Sequence, residues 1–303
     1  MGIDAKSPAI YELVEEGSSV EKVAGGFTFT EGPIWHPRDQ YLLFSDMPGD
    51  VRRKYTPDGT VVEVRNFSNK CNGMTYDADL NLLVCEHVTS SLVRESPDGS
   101  REIIAQEFEG EELNSPNDVI VAFDSSIYFS DPWYGRFPGF GHPRKRRLGW
   151  QGVFRIPPGG GDLQLVVDRN EFEMPNGLCF SPDNSLLYIN DTPRAYIKVY
   201  DVNADGSLSN GRMFFEGVGT GVIEEGIPDG MKCDERGKIW VTGPGGIWVI
   251  SSAGEHLGVI QVPENTGNLT WGGEDWRTLY IPSSTGLYTI RTLVGPHREP
   301  YMG

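Results

Sequence analysis

The chain has 303 residues, a net charge of −17 and 38% hydrophobic residues, enough apolar material for a core. A protein with this negative charge repels the phosphates of nucleic acid, which argues against nucleic acid as a partner. The acidic N-terminus and the lack of an apolar run of about 18 residues predict neither a secretory signal nor a membrane span. We therefore expect a soluble, cytoplasmic protein, monomeric or dimeric, with no nucleic-acid or membrane partner.

Six short apolar segments of strand length recur along the chain. In chain order they are LLFSD from Leu42, LLVCE from Leu82, IYFSD from Ile127, LYIND from Leu187, IWVTG from Ile239 and LYIPS from Leu279. β-Branched and aromatic residues dominate these segments and turn residues flank them, as is typical of strands. A second apolar segment follows each one, and in five units a Gly-containing turn and a third segment come next.

Units of about 40 to 50 residues with this order of strands and turns predict a β-propeller. Six units predict an all-β, six-bladed propeller that forms one domain over residues 1–303, with 1–19 as an N-terminal extension. The sixth unit has no closing strand, whereas a strand-like segment at 20–24 precedes the first unit. We predict that this segment completes the last blade and closes the ring, which removes a sheet edge. The alternative is a β-sandwich with accidental repeats.

Each unit opens its innermost strand with a polar residue, 10 or 11 positions before the first apolar segment. These six residues all carry a side-chain oxygen: Glu31, Asn72, Asn117, Asn176, Asp229 and Asn268. Equivalent positions surround the channel of a propeller, so the oxygens are expected to converge. Oxygen donors with carboxylates suit Ca²⁺, Mg²⁺ or Mn²⁺. The alternative is that the Asn-Gly and Asp-Gly pairs form ordinary turns; the shared register favours a metal site at the channel mouth.

Seven segments in order carry a resemblance to a known family. They are FTEGPIWHP at 29–37, CEH at 85–87, LNSPNDVIV at 113–121, YFSDPWYG at 128–135, PNGLCFSPDNSLLYINDT at 175–192, IPDGMKCDERGKIWV at 227–241 and NLTWGGEDWRTLYIPSSTGLYTIRT at 268–292. With these segments the sequence resembles the gluconolactonase / senescence marker protein / luciferin-regenerating enzyme superfamily, and most of all its bacterial sugar-lactonase branch.

The resemblance implies one catalytic divalent metal ion held by Glu31, Asn176 and Asp229, with Asn117 as a fourth ligand or a substrate contact. We expect Ca²⁺, with Zn²⁺, Mn²⁺, Mg²⁺ and Fe²⁺ as alternatives. The family assigns Asp229 a second role, as general base. Ser115 stands where the animal branch has an Arg, so the sugar contact of that Arg must come from elsewhere.

Further pocket residues are expected near strand ends. Trp133 and Tyr134 are candidate pocket walls, with a structural role as the alternative. Glu86 and His87 are candidate substrate contacts, with a surface or loop histidine as the alternative. The basic, aromatic insertion at 134–151 is expected either to cover the active-site mouth or form an interface, or to be a solvated loop paired with the acidic residues 107–112.

These features together predict a metal-dependent carboxylic-ester hydrolase that opens a small-molecule sugar lactone, of the gluconolactone or aldonolactone type, to the aldonic acid. The bound metal would polarise the carbonyl while Asp229 activates water. The chain has no G-x-S-x-G, H-E-x-x-H or Walker A motif. Two alternatives stay open: hydrolysis of a non-sugar lactone, another ester or an organophosphate at the same site, and a non-catalytic propeller that binds a partner.

Overall fold

The computed structural model describes residues 2–303 and consists of antiparallel sheets of the kind the repeats predict. Six sheets form the blades of a propeller, which confirms the predicted fold class. From the channel outward, their strands are Thr30–His36, Tyr41–Asp46, Val51–Tyr55 and Val61–Asn66 in blade 1; Cys71–Tyr76, Leu82–Glu86, Ser91–Glu95 and Arg101–Ala105 in blade 2; Val119–Val121, Ile127–Asp131, Gly152–Ile156 and Gln164–Leu165 in blade 3; Pro175–Phe180, Leu186–Asp191, Tyr196–Val202 and Leu208–Glu216 in blade 4; Met231–Cys233, Ile239–Gly243, Gly246–Ile250 and His256–Gln261 in blade 5; Thr270–Gly272, Thr278–Ser283, Gly286–Arg291 and Glu21–Gly25 in blade 6.

The strand Glu21–Gly25 pairs antiparallel with Gly286–Arg291, with Glu21 opposite Thr289. The N-terminal segment therefore closes the last blade, as predicted, and supplies the strand that the C-terminal end of the chain lacks. This pairing joins the two ends of the ring by backbone hydrogen bonds and covers an edge that would otherwise be free to pair with another chain.

Residues 2–20, which precede this closing strand, also contain regular elements. Ile3–Ala5 pairs with His256–Gln261 as a fifth, outermost strand of blade 5. The 3₁₀ helix Pro8–Glu12 follows, and the side chains of Ile10 and Leu13 are completely buried in the core that joins the blades. Burial of these two side chains contributes roughly 2 to 3 kcal/mol each, which holds the N-terminal segment against the ring.

The remaining elements are short. A two-stranded hairpin forms from Glu107–Phe108 and Glu111–Glu112, and 3₁₀ helices span Tyr134–Arg136, Ile223–Glu225 and Pro300–Met302. Within residues 2–303, no helix has the length and apolarity that crossing a membrane requires.

Aromatic contacts join one blade to the next. Trp35 of blade 1 stacks on Tyr280 of blade 6, with ring centroids 5.2 Å apart. Trp240 of blade 5 meets Trp271 of blade 6 edge to face at 5.1 Å. Face-to-face packing of the sheets buries the innermost strands on both sides. Most residues that follow the repeated polar residue in these strands are therefore apolar.

The Asp that ends three of the repeated segments has a structural role. Asp46, Asp131 and Asp191 each accept hydrogen bonds from two successive backbone N–H groups of the loop before the innermost strand of the same blade. The bonds to Asp131 measure 2.7 and 2.8 Å. A carboxylate that accepts two amides holds the loop that leads into the channel, so the repeated Asp fixes where each innermost strand begins.

Candidate functional site

Five of the six repeated polar residues line one cavity at the mouth of the channel. They are Glu31, Asn72, Asn117, Asn176 and Asp229. The sixth, Asn268, is buried beside them and donates from Nδ2 to Glu31 Oε2 at 3.0 Å. Residues that are 237 positions apart in the chain are therefore in direct contact at the axis.

The polar residues do not form turns. Glu31, Asn72 and Asn176 lie within strands, at places where the pairing register shifts as in a β-bulge. The alternative interpretation of the Asn-Gly pairs as turns is therefore wrong for Asn72 and Asn176. A bulge re-aims the side chain toward the axis while the strand continues into its blade.

Glycine after the polar residue allows the blades to approach closely. A Cβ on Gly73 would lie 2.4 Å from the carbonyl oxygen of Asn117, and one on Gly177 would lie 2.1 Å from that of Asp229. The amide of each Gly donates to the same carbonyl, at 2.8 and 3.1 Å. The Gly residues therefore bring neighbouring polar residues together, because no other residue permits this approach.

The two carboxyl groups of the site are held deep in the protein. Burial raises the pKa of Glu31 to about 7, against the hydrogen bond from the Gly32 amide, and the carboxylate of Asp118 adds to the shift. Burial also raises the pKa of Asp229 well above its usual value, and repulsion from Glu31 and Asp118 adds to it. Two buried carboxylates that repel each other favour a bound proton or a cation between them.

The amide of Asn176 has a defined orientation. Its Nδ2 donates to Thr192 Oγ1 at 3.1 Å, and that hydroxyl donates its single proton to the carbonyl of Pro228 at 2.7 Å. The Thr192 oxygen can therefore only accept from the amide, which leaves Asn176 Oδ1 as a buried acceptor without a protein partner. An unpaired oxygen that faces two carboxylates fits a cation, so Glu31, Asp229 and Asn176 are suited to hold a divalent metal ion.

The backbone around Asp229 is also fixed. Its N–H donates to Thr242 Oγ1 at 2.8 Å, and its carbonyl accepts from Asn190 Nδ2 at 2.7 Å. Asn190 and Thr192 were not predicted as site residues. Both lie in the segment LYINDT, and their neighbouring positions in that segment were the only signal available in the sequence.

Among residues 2–303, no group of three or more His, Cys, Asp or Glu side chains has an arrangement that could hold a metal ion. The predicted ligand set contains only two such residues, Glu31 and Asp229, and its other members are amides. Asn117 lines the same cavity; its N–H donates to the carbonyl of Ser130 at 2.9 Å, which fixes its backbone at the mouth.

One side of the cavity is apolar. It is formed by Phe29, Met47, Tyr134, Phe137, Phe140, Ile223 and Ile227. Of the two aromatic residues predicted as walls, only Tyr134 is among the lining residues. Trp133 donates from Nε1 to Asn114 Oδ1 at 2.7 Å, and the Arg146 guanidinium lies 3.6 Å from its ring centre.

The insertion contributes to the cavity wall and also pairs with the acidic hairpin. Phe137 and Phe140 form part of the cavity wall, whereas Arg136 and Arg144 pair with Glu112 at 3.0 and 2.8 Å. The acidic hairpin thus holds the basic part of the loop while the aromatic part faces the mouth.

Glu86 and His87 occupy different environments. Glu86 is buried away from the cavity and pairs with Arg101 at 2.6 Å, with further hydrogen bonds from Asn69 and Thr89. His87 is completely buried behind the cavity wall, where it contacts Asn72 and the backbone of Phe140. His87 is thus neither a surface histidine nor a residue of the cavity lining.

Residues 29–285 match the family described as SMP-30/gluconolactonase/LRE-like region. The gluconolactonase of Zymomonas mobilis is 29% identical and the alignment covers 94% of this chain and 85% of that protein. Pentonolactonase XacC of Haloferax volcanii is 27% identical, with 84% of this chain and 81% of that protein covered. The solved structure of a gluconolactonase from Xanthomonas campestris superposes with a TM-score of 0.86 at 31% identity, over 96% of this chain and 95% of that one.

Proposed function

Because the chain belongs to the SMP-30/gluconolactonase/LRE-like family, we propose that it is a carboxylic-ester hydrolase that opens a sugar lactone to the corresponding aldonic acid. One observation supports this most: two buried carboxyls and an unpaired amide oxygen, those of Glu31, Asp229 and Asn176, meet in a single cavity. Relatives that align over most of the chain are named for lactone hydrolysis.

Glu31, Asn176 and Asp229 would hold a divalent cation, with Asn117 as a fourth ligand or a substrate contact. When bound, the cation supplies positive charge that polarises the lactone carbonyl and lowers the pKa of both carboxyls. Ca²⁺ is our first choice, because the donors are all oxygen atoms; Mn²⁺, Mg²⁺, Zn²⁺ and Fe²⁺ are the alternatives.

The chain's own groups would then carry the proton transfers. Asp229 accepts a proton from the water that adds to the carbonyl carbon, and the proton passes to the ring oxygen as the ring C–O bond breaks. The product is an open hydroxy acid, so atoms and charge balance without a redox step. The apolar wall with Phe137 and Tyr134 would hold the ring of the lactone in place while the polar side contacts its hydroxyls.

Acid release from a panel of lactones tests this proposal. The protein is stripped with a chelator, and Ca²⁺, Mg²⁺, Mn²⁺, Zn²⁺ or Fe²⁺ is returned singly with gluconolactone, xylonolactone or arabinonolactone. Sugar lactones also open spontaneously, so an Asp229→Asn variant that is loaded with the same metal provides the matched control. We expect metal-restored acid release by the wild type only.

Two other outcomes would redirect the assignment. If no aldonolactone is hydrolysed but a non-sugar lactone, another ester or an organophosphate is, the site acts on a different substrate. No turnover of any compound, with metal demonstrably bound, would favour a propeller that only binds a partner.

A further inference from the structure

His87 is a completely buried histidine that the proposed chemistry does not use. It stands at the end of the second strand of blade 2, directly behind the polar ring. Its ring contacts two other parts of the site. Nδ1 lies 2.8 Å from the carbonyl oxygen of Phe140 in the insertion. Nε2 lies 3.2 Å from Nδ2 of Asn72, one of the six repeated polar residues.

The first of these contacts determines which atom donates and which accepts in the second. A backbone carbonyl only accepts hydrogen bonds, so the Phe140 contact requires the proton on Nδ1. The neutral ring then carries its lone pair on Nε2, which can only accept from the Asn72 amide nitrogen. Burial lowers the pKa of His87 to about 4, although the Phe140 carbonyl opposes this shift, so the ring is neutral around pH 7.

Asn72 therefore has one orientation. Its Nδ2 is committed to His87, and its Oδ1 is buried without a protein partner. The same residue lines the cavity, and its backbone carbonyl accepts from Ser45 Oγ at 2.8 Å, which fixes the strand beneath it. An unpaired acceptor in the cavity wall requires a donor from the ligand, such as a hydroxyl group, or a water molecule.

The loop above Asn72 depends on the same histidine. A Cβ on Gly135 would lie only 2.7 Å from His87 Cγ, so the insertion packs directly on the ring. Lys70 Nζ donates to the carbonyl of Gly139 at 2.7 Å, one residue before Phe140. His87 and Lys70 together hold the part of the loop that carries the Phe137 and Phe140 wall.

We propose that His87 is a positioning residue that fixes Asn72 as a hydrogen-bond acceptor for a hydroxyl group of the bound lactone and holds the Phe137–Phe140 wall over it. The inference rests on the proposed function, because it assigns the sugar-hydroxyl contact of that reaction.

A double-mutant cycle between His87 and Asn72 tests the proposal with gluconolactone as the probe. We expect His87→Leu and Asn72→Ala each to raise KM by about ten-fold and to change kcat by less than about two-fold. Both variants weaken one hydrogen bond to the substrate and leave the groups that transfer protons unchanged. His87→Leu should raise KM by a smaller factor in the Asn72→Ala background than in the wild type, because the part of its effect that acts through Asn72 is already lost there.

His87→Gln is the conservative control. The planar amide of Gln keeps one donor and one acceptor, so the KM of His87→Gln should be much closer to the wild-type value than the KM of His87→Leu. If His87→Leu does not fold, the cycle is run with His87→Gln, whose effect on KM should likewise be smaller in the Asn72→Ala background than in the wild type.

The results separate this inference from the proposed function. A wild-type protein that opens no lactone contradicts the proposed function itself. A wild type that turns over, combined with additive effects in the double variant or a loss confined to kcat, contradicts the role of His87 only.

Discussion

The buried carboxylates at the mouth of the channel and those deeper in it differ in how strongly a cationic side chain acts on them. At the mouth, Glu31 and Asp229 face each other and the amides of Asn176 and Asn268. Deeper in the channel, Asp118 and Glu299 share the space with Lys232, which is only 8% exposed.

Lys232 shows what a built-in cation does. Burial lowers its pKa, but attraction to Asp118 and Glu299 outweighs burial, so the pKa is raised and the ammonium group stays charged. The lower half of the channel therefore carries its own counter-charge on the polypeptide. Within the part of the chain that the structure describes, the residues that line the mouth include no Lys or Arg, and under the proposed function a divalent cation would supply the positive charge there. We expect this difference to separate a structural part of the channel from the proposed site.

The largest expected effect concerns Asp229. Replacing Asp229 by Asn keeps the shape of the side chain and removes its basicity, so kcat for lactone opening should fall by about 10²–10⁴-fold. The rate is measured as acid release at saturating metal, with circular dichroism to check the fold. Turnover that stays within a few-fold of the wild type would contradict the role of Asp229 as base.

Removing the internal cation should instead affect stability. Lys232→Met leaves Asp118 and Glu299 without their buried counter-charge, and we expect a loss of about 3 kcal/mol in the free energy of unfolding. Urea unfolding at neutral pH measures it, and Lys145→Met at an exposed position is the control. A loss no larger than that of the control would show that Lys232 does not balance the lower carboxylates.

The mouth should respond to pH when metal is absent. The folded protein holds the Glu31 proton up to about pH 7, whereas an unfolded chain releases it near the usual 4.5. Folding therefore binds a proton between these values, and the stability of the chelated protein should fall as pH rises through this window, by on the order of 2 kcal/mol.

Unfolding in urea with excess chelator, at about pH 5 and about pH 8, checks this slope. Glu31→Gln cannot ionise and should show a weaker dependence, and a saturating divalent cation should remove the loss at high pH. Equal slopes for wild type and variant would mean that Glu31 titrates normally.

The smallest effect is expected at Thr192. Thr192→Val keeps the size of the side chain but removes the hydroxyl that orients Asn176, so divalent-metal affinity should fall by about ten-fold. Calorimetric titration of the chelated protein measures it, with Thr220→Val, at an exposed position outside the cavity, as the control. Unchanged affinity would show that Asn176 needs no such support.

Much of the fold follows from local patterns. Strand-length apolar segments that recur with turns between them predict a repeated sheet, and the missing sixth closing strand predicts that residues 20–24 supply it. The shared register of Glu31, Asn72 and Asp229 was likewise enough to expect them around one axis, because blades of equal construction place equivalent residues at equivalent heights.

Only the tertiary structure decides how those residues are oriented. Nothing near Asn72 or Asn176 in the chain indicates which end of each amide faces the cavity; His87 and Thr192, 15 and 16 positions away, determine it through hydrogen bonds. Likewise, nothing in the sequence relates Lys232 to Glu299, and only the fold brings the two charges near enough for Glu299 to raise the pKa of Lys232. The physical reason is that periodicity follows from local backbone geometry, whereas hydrogen-bond polarity and charge balance depend on neighbours that only folding brings together.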